Sequence, residues 1–370
     1  MLTLCNLTEL KTIIEQASNV YVFGIGKRLS LLTNLMDRIN CKDKINGFID
    51  NSLIKQNTIF TWENNDYIIK NIQDVRDSVD EKSLIIVTPE FYYNEICDQL
   101  QNDSTLRKCS IVCLTHVIGI ESDLKSMTQK AYINTMGAKQ IPKVIHYCWF
   151  GGKPIPEKYR CWMSSWRKYC PDYEIIEWNE KNYDISKNKY MKQAYDNGKW
   201  GFVPDYARLD IINEYGGIYL DTDVELVKCL DDLLYDKAYM GFQEDDLVNL
   251  GQGFGSVRDN ELICEMMKVY DHINFIENDG KFNMLPSPYY QTDVLKRHGL
   301  QLNGNQQNLN GTVIYPEKML CAKSIKTMVV NKLEYTHSIH HFDGSWADED
   351  SKSYNKRLGK ELSEYHIWKR

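Results

Sequence analysis

None of the eleven cysteines stands in a Cys-x-x-Cys pair, so the chain lacks the spacing of a zinc knuckle. Their odd number also fits reduced thiols better than a disulfide framework, which points to a reducing compartment. No apolar run approaches the roughly 18 residues that span a bilayer. Basic residues are in the minority, 44 Lys and Arg against 51 Asp and Glu. The resulting net charge of -7 is the wrong sign for a nucleic-acid partner. Glu9, Lys11 and Glu15 occupy the first turns of the N-terminus, which is unlike a secretory signal. The expectation is a cytoplasmic protein, at most peripheral at the inner face of a membrane. Within 370 residues, 43% hydrophobic and 26% charged side chains are enough for two domains, each with its own core.

What is present centres on Gly216-Gly217-Ile218-Tyr219-Leu220-Asp221-Thr222-Asp223. In an extended strand alternate side chains share a face, so Asp221 and Asp223 are predicted to project together. Adjacent carboxylates repel unless a cation sits between them, and a divalent ion with oxygen ligands would in turn hold a phosphate-bearing substrate. A solvated turn is the plainer alternative, because Asp is common where strands end.

Pro204 and the Gly216-Gly217 pair bracket a helix of about three turns. At 100° per residue, Leu209, Ile211, Ile212 and Tyr215 form its apolar arc, opposite Asp210, Asn213 and Glu214. Asp205 and Arg208 fall inside that arc, one turn apart. A charged pair there is costly unless it is paired or bound to something. Either Asp205 caps the helix and Arg208 neutralises it, or both face a polar cleft and hold a hydroxyl-rich ligand.

Phe202-Val203-Pro204-Asp205-Tyr206-Ala207-Arg208-Leu209, followed by the helix and Gly-Gly-Ile-Tyr-Leu-Asp-Thr-Asp, resembles glycosyltransferase family 32. Two further segments are similar to that family: Ile141 to Gly152, an opening strand, and Ile339-His340-His341-Phe342-Asp343-Gly344-Ser345-Trp346, a closing motif. The resemblance spans residues 141 to 346 and omits the first 120 or so. It implies a retaining transferase that moves a sugar from a nucleotide-sugar donor, with UDP-sugar foremost. The implied acceptor is a glycan or lipid-linked oligosaccharide, as in bacterial capsular polysaccharide synthesis. Implied catalytic residues are Asp205, Arg208, Asp221 and Asp223. Trp149 would stack on the base, with Gly151 and Tyr219 on the donor side, and Ser345 and Trp346 would hold the diphosphate. Asp221, Asp223 and the pair His340 and His341 are the expected ligands of Mn2+ or Mg2+. An imidazole favours Mn2+, and strand alternation allows only one of the two rings to reach the ion. Trp149 as a core plug and the histidines as surface groups are the plainer alternatives.

The predicted architecture is α/β throughout: a Rossmann-like domain (1–125), a polar connector (126–140) and a GT-A type domain (141–370). In the first domain, strand Val20 to Phe23, Gly24-Ile25-Gly26, helix Leu29 to Ile39 and a strand ending at Asp50 follow the order of a dinucleotide-binding half. Leu29 stands where the third glycine of that motif belongs, so a tight strand-to-helix turn without a cofactor is the favoured reading. An NAD-linked enzyme built on this domain and a metal-dependent phosphohydrolase built on the aspartates are the competing functions. Gly251 to Gly255 and Pro286 to Asp293 read as loops on the acceptor side.

Overall fold

Leu7–Gln16 forms helix α1, started by a capping box in which Asn6 and Glu9 satisfy each other's backbone N–H groups. It leads into β1 (Val20–Phe23), α2 (Leu29–Ile39), β2 (Gly47–Ile49), the hairpin β3 (Ile59–Trp62) and β4 (Asn65–Ile68), β5 (Leu84–Val87), α3 (Tyr93–Asn102), β6 (Ser110–Cys113) and α4 (Leu114–Thr128). Strands β2-β1-β5-β6 pair in that order, all parallel. Their unbroken apolar runs follow from helices covering both faces. Gly24 adopts φ +98, and a β-carbon there would strike Pro89. Asp50 closes this turn. It accepts from the Ile25 N–H at 3.0 Å, from Lys55 Nζ at 2.8 Å and from the Ser52 N–H at 2.9 Å. The acid in the ribose-binding position is therefore engaged within the protein.

The second unit contains β7 (Val144–Cys148), α5 (Glu157–Tyr169), β8 (Glu174–Trp178), α6 (Lys189–Asp196), α7 (Pro204–Tyr215), β9 (Gly217–Tyr219), β10 (Val224–Leu226), β11 (Ala238–Glu244), β12 (Leu247–Val248), β13 (Phe254–Ser256), α8 (Glu261–His272), α9 (Ser287–Arg297), β14 (Gln307–Leu309), β15 (Thr312–Tyr315), α10 (Glu317–Leu320) and β16 (Ser338–His340). The last helix, α11 (Glu349–Leu362), follows. A mixed sheet runs β14-β15-β11-β13-β9-β7-β8, with β12 alongside β11. Strand β9 is central, parallel to β7 and antiparallel to β13, and apolar clusters cover the sheet. His146 on β7 belongs to this packing. Its Nδ1 accepts from the Trp178 indole at 3.1 Å, its Nε2 meets the Gly216 carbonyl at 3.0 Å, and burial pulls its pKa to about 4.

This computed structural model describes residues 1–244, 246–344 and 349–365. Two units emerge, Met1–Leu124 joined by the chain from Tyr354, and Lys125–Ser353. Both ends of the expected division shift. Residues 126–128, read as connector, continue helix α4, whose buried positions Asp123 and Ser126 are polar and leave no hydropathy signal. The chain from Tyr354, expected in the second domain, packs on the first unit. Arg357 grips Asp98 through two bonds of 2.9 and 3.0 Å, Glu361 accepts from Tyr93 at 3.0 Å and lies 3.1 Å from His116 Nε2, and Leu358 and Leu362 are buried. Pro286 to Asp293, read as a loop, is largely helix α9, since Pro288 falls in the first turn, where its missing N–H costs nothing. Among the described residues no helix is long and apolar enough to cross a membrane.

Candidate active site

Asp221 and Asp223 converge by a route other than the expected one. Strand β9 ends at Tyr219, and the aspartates occupy a turn closed by the Val224 N–H on the Asp221 carbonyl at 3.0 Å. Strand alternation therefore does not align them. Immediately after the turn, β10 pairs antiparallel with β16, setting Val224 opposite His340, and the His341 N–H donates to the Asp223 carbonyl at 3.0 Å. That register delivers the His340 ring, whose Nε2 lies 3.3 Å from Asp223 Oδ1. Asp221, Asp223 and His340 each present a ligand atom, all within 4.8 Å of one another. Among the described residues, His340 Nδ1 is buried with no hydrogen-bond partner. Two carboxylates and an imidazole fit a divalent cation.

His341, expected beside His340, is turned away. Its Nε2 meets Glu225 Oε2 at 2.9 Å and its ring stacks on Trp162 with centroids 4.2 Å apart. Consecutive residues leaving a strand face opposite sides, and Glu225 and Trp162 supply a complete environment on the far side.

Next to the aspartate turn, α7 contributes Asp205 and Arg208, both buried. Asp205 is not the helix cap: Val203 holds that position and makes no side-chain bond. Arg208 reaches Asp205 at 3.1 Å and Asp221 at 3.5 Å, and its Nε donates to the Pro204 carbonyl at 3.0 Å. One guanidinium thus neutralises carboxylates from two elements. Burial drives the Asp205 carboxyl up to about 6 even though Arg208 and the Ser287 hydroxyl oppose the shift. Burial also raises Asp221, with Arg208 countering and Asp223 reinforcing. Asp223 moves the other way, because the His340 imidazole and the Asp343 N–H outweigh burial and hold it at about 2. Neighbouring acids thus have environments that push them apart, a pattern concentrated at functional sites.

The remaining sequence-derived residues divide three ways. Tyr219, expected to touch the donor, is 1% exposed and donates its hydroxyl to Asp221 Oδ1 at 3.0 Å, so it positions a carboxylate instead. Trp149 is half-buried, edge-on to Tyr159 with centroids 5.8 Å apart, and packs against the apolar cluster on the sheet. The Gly151 N–H donates to Glu180 Oε1 at 2.5 Å, and its α-carbon faces the partly exposed Trp200 ring. Ser345 and Trp346 lie outside the described residues.

Several site residues escaped the sequence reading. A β-carbon at Gly251 would collide with the Asp221 carboxylate and lie 3.0 Å from Arg208, so this loop, read as acceptor-side, packs against the aspartate turn. Asp343 gives its N–H to Asp223 Oδ2 at 3.0 Å, accepts from the Tyr159 hydroxyl and pairs with Lys158 at 2.5 Å. Lys323 donates to the His341 carbonyl at 2.7 Å, and burial lowers its pKa despite nearby Asp223 and Asp343. Asp343 sits inside a motif that drew attention for its histidines and its Ser-Trp pair. Lys323 carries no local signal at all.

Residues 156–240, which include α7, β9 and the aspartate turn, match the family described as glycosyltransferase sugar-binding region containing DXD motif. The chain carries a DXD glycosyltransferase region. It is 34% identical over 108 residues to inositol phosphoceramide mannosyltransferase 3 of Schizosaccharomyces pombe, covering 27% of this chain and 29% of that protein. Mannosyl phosphorylinositol ceramide synthase of Saccharomyces cerevisiae is 32% identical over 104 residues, 27% of each chain. Subversion of eukaryotic traffic protein A of Legionella pneumophila is 31% identical over 130 residues, 28% of this chain and 20% of the relative. The chain thus spans less than a third of the length of each of these relatives. The matched region stops before Gly251 and His340, which the fold adds to the aspartates.

The raised pKa of Asp205 gives this glycosyltransferase region a testable pH signature. The folded protein keeps a proton on Asp205 up to about 6, whereas the unfolded chain releases it near the ordinary aspartate value of 3.8. Between those values the folded state binds more protons, so the Asp205 contribution is fully present at low pH and falls as pH rises. Asp205→Asn is expected to remove that downward slope between pH 4 and 6 in urea-denaturation midpoints. An unchanged slope would assign the titration to another group.

Proposed function

We propose that Lys125–Ser353 is a retaining transferase of the GT-A arrangement, moving a hexose from a nucleotide-diphosphate sugar to a hydroxyl of a lipid-linked acceptor. The observation that carries this reading is the convergence of Asp221, Asp223 and His340 beside the buried Asp205–Arg208 pair, within and next to the family-matched region. Asp221, Asp223 and His340 would hold Mn2+ or Mg2+, and a bound divalent ion supplies neutralising charge to the leaving diphosphate. Arg208 keeps Asp205 and Asp221 in place against their burial cost. Asp205, with Ser287 beside it, accepts hydrogen bonds from donor-sugar hydroxyls. Ser345 and Trp346 supply a hydroxyl and an indole N–H to the diphosphate. No residue is assigned as covalent nucleophile; the departing phosphate oxygen takes the acceptor proton on the same face, which gives retention.

The names of the yeast relatives describe mannosyl transfer and inositol-phosphate ceramides, and they favour a lipid acceptor for this chain over a capsular polysaccharide. Donor titration tests the whole reading. UDP or GDP is expected to bind more tightly with Mn2+ than without, and NAD not at all. Metal-independent binding of NAD in place of the nucleoside diphosphates would overturn it.

Trp149→Ala separates stacking from packing. Loss of one ring contact is expected to weaken UDP binding by about 1 kcal/mol, several-fold in Kd, if the half-buried ring stacks on the base. Calorimetric titration beside a melting curve reads both effects. A fallen melting temperature with unchanged UDP affinity would remove Trp149 from the donor site.

A further inference from the structure

Of the cationic side chains placed at the site, Arg208 and Lys158 already face carboxylates. Arg208 lies between Asp205 and Asp221, and Lys158 pairs with Asp343. Lys323 differs. Its ammonium donates to the His341 carbonyl at 2.7 Å, and among the described residues it meets no carboxylate at ion-pair distance. A half-buried ammonium without a paired counter-charge is costly, and the nearby charges of Asp223 and Asp343 offset only part of that cost.

The fold nevertheless holds Lys323 in place. The Ala322 N–H donates to the Ser338 carbonyl of β16 at 3.2 Å, and the Ala322 carbonyl accepts from the Asn331 N–H at 2.9 Å. Lys323 bridges Val330, and the Ser324 N–H reaches the Val329 carbonyl at 3.0 Å. The chain carrying Lys323 is thus fastened to β16, the strand that also delivers His340 to Asp223. His341 links the two groups directly. Its N–H donates to the Asp223 carbonyl at 3.0 Å, and its own carbonyl accepts from Lys323.

We propose that the Lys323 ammonium binds an oxygen of the departing diphosphate, beside the divalent ion held by Asp221, Asp223 and His340. The inference rests on the transferase reading above. An ammonium carries three N–H donors. The His341 carbonyl takes one, and among the described residues no other partner takes the rest. A leaving diphosphate carries more negative charge than one divalent ion offsets, and the aspartates around it add to the excess. A lysine supplies the compact point charge that serves phosphate oxygens. When the bond from the anomeric carbon to the phosphate oxygen breaks, its electron pair stays on the diphosphate. Lys323 stabilises that charge by a hydrogen bond and keeps its own proton.

The test is calorimetric titration of the full chain with Mn2+ alone, and then with inorganic pyrophosphate in the presence of Mn2+. Lys323→Gln is expected to weaken pyrophosphate binding about ten-fold or more, the scale of one charge-assisted hydrogen bond. Mn2+ alone is expected to bind at least as tightly as to wild type, because a repelling positive charge has gone. Lys323→Arg, which keeps the charge, is expected to recover most of the pyrophosphate affinity. Lys323→Met, which keeps the packed stem, is the second neutral variant if the glutamine form melts early. Unchanged pyrophosphate binding in the neutral variants would overturn the proposal. So would Mn2+ and pyrophosphate affinities that fall together, which would make Lys323 a clamp on the His341 backbone and nothing more. Wild type that takes up no pyrophosphate with Mn2+ overturns it as well. Hydrolysis of UDP- and GDP-sugars is scored separately. Wild type that binds pyrophosphate through Lys323 yet hydrolyses neither donor overturns the transferase reading, and with it the leaving-group role. Hydrolysis as fast in Lys323→Gln as in wild type overturns the role of Lys323 alone.

Discussion

Asp223→Asn is expected to lower donor turnover by about a hundred- to a thousand-fold, the scale on which a lost charge ligand acts on a leaving group. Asp223 is held ionised at about 2, so it presents a full negative charge across the neutral pH range. It also accepts from the Asp343 N–H and faces His340. The asparagine oxygen can preserve the Asp343 bond, so the melting temperature should change little while calorimetric Mn2+ affinity falls. Near-wild-type turnover with Mn2+ present would remove Asp223 from the ligand set.

Arg208→Met is expected to cost about 3–5 kcal/mol of stability, because breaking a buried ion pair from one side leaves an uncompensated charge. Here one side chain serves two carboxylates, Asp205 at 3.1 Å and Asp221 at 3.5 Å. Adding Asp205→Asn to Arg208→Met should recover part of that loss, since one orphaned carboxyl disappears with it. Urea denaturation of the four proteins closes the cycle. Additive losses, within about 0.5 kcal/mol, would show that Asp205 and Arg208 do not act as a unit.

Local pattern carried much of this fold. Val20 to Phe23, Leu84 to Val87 and the helix from Pro204 to Tyr215 are short, uniformly apolar or well punctuated, and they form as their composition dictates. The misplaced boundaries lie where burial is polar. Asp123 and Ser126 are buried on α4 without hydrophobic periodicity, and Glu361 and Arg357 fasten the C-terminal helix through ion pairs that a hydropathy pattern does not display. At the site, Asp205, Arg208 and the two aspartates were legible because they cluster within twenty residues. The orientation of His340 against His341 depended on a strand partner far along the chain. Tyr219 misled for a related reason: an aromatic beside an acidic motif reads as ligand-facing, yet the central position of β9 leaves its ring no exit from the core.

The β10–β16 ladder has a topological consequence. Three paired positions, Val224 with His340, Glu225 with Ile339 and Leu226 with Ser338, fasten the imidazole to the aspartate turn. The chain between Leu226 and Ser338 leaves and returns through that clasp, and it supplies strands β11, β13, β14 and β15 of the main sheet as well as α8 and α9. Gly251, whose loop packs against the Asp221 carboxylate, lies on that same stretch, so the clasp and the chain it encloses meet at one turn.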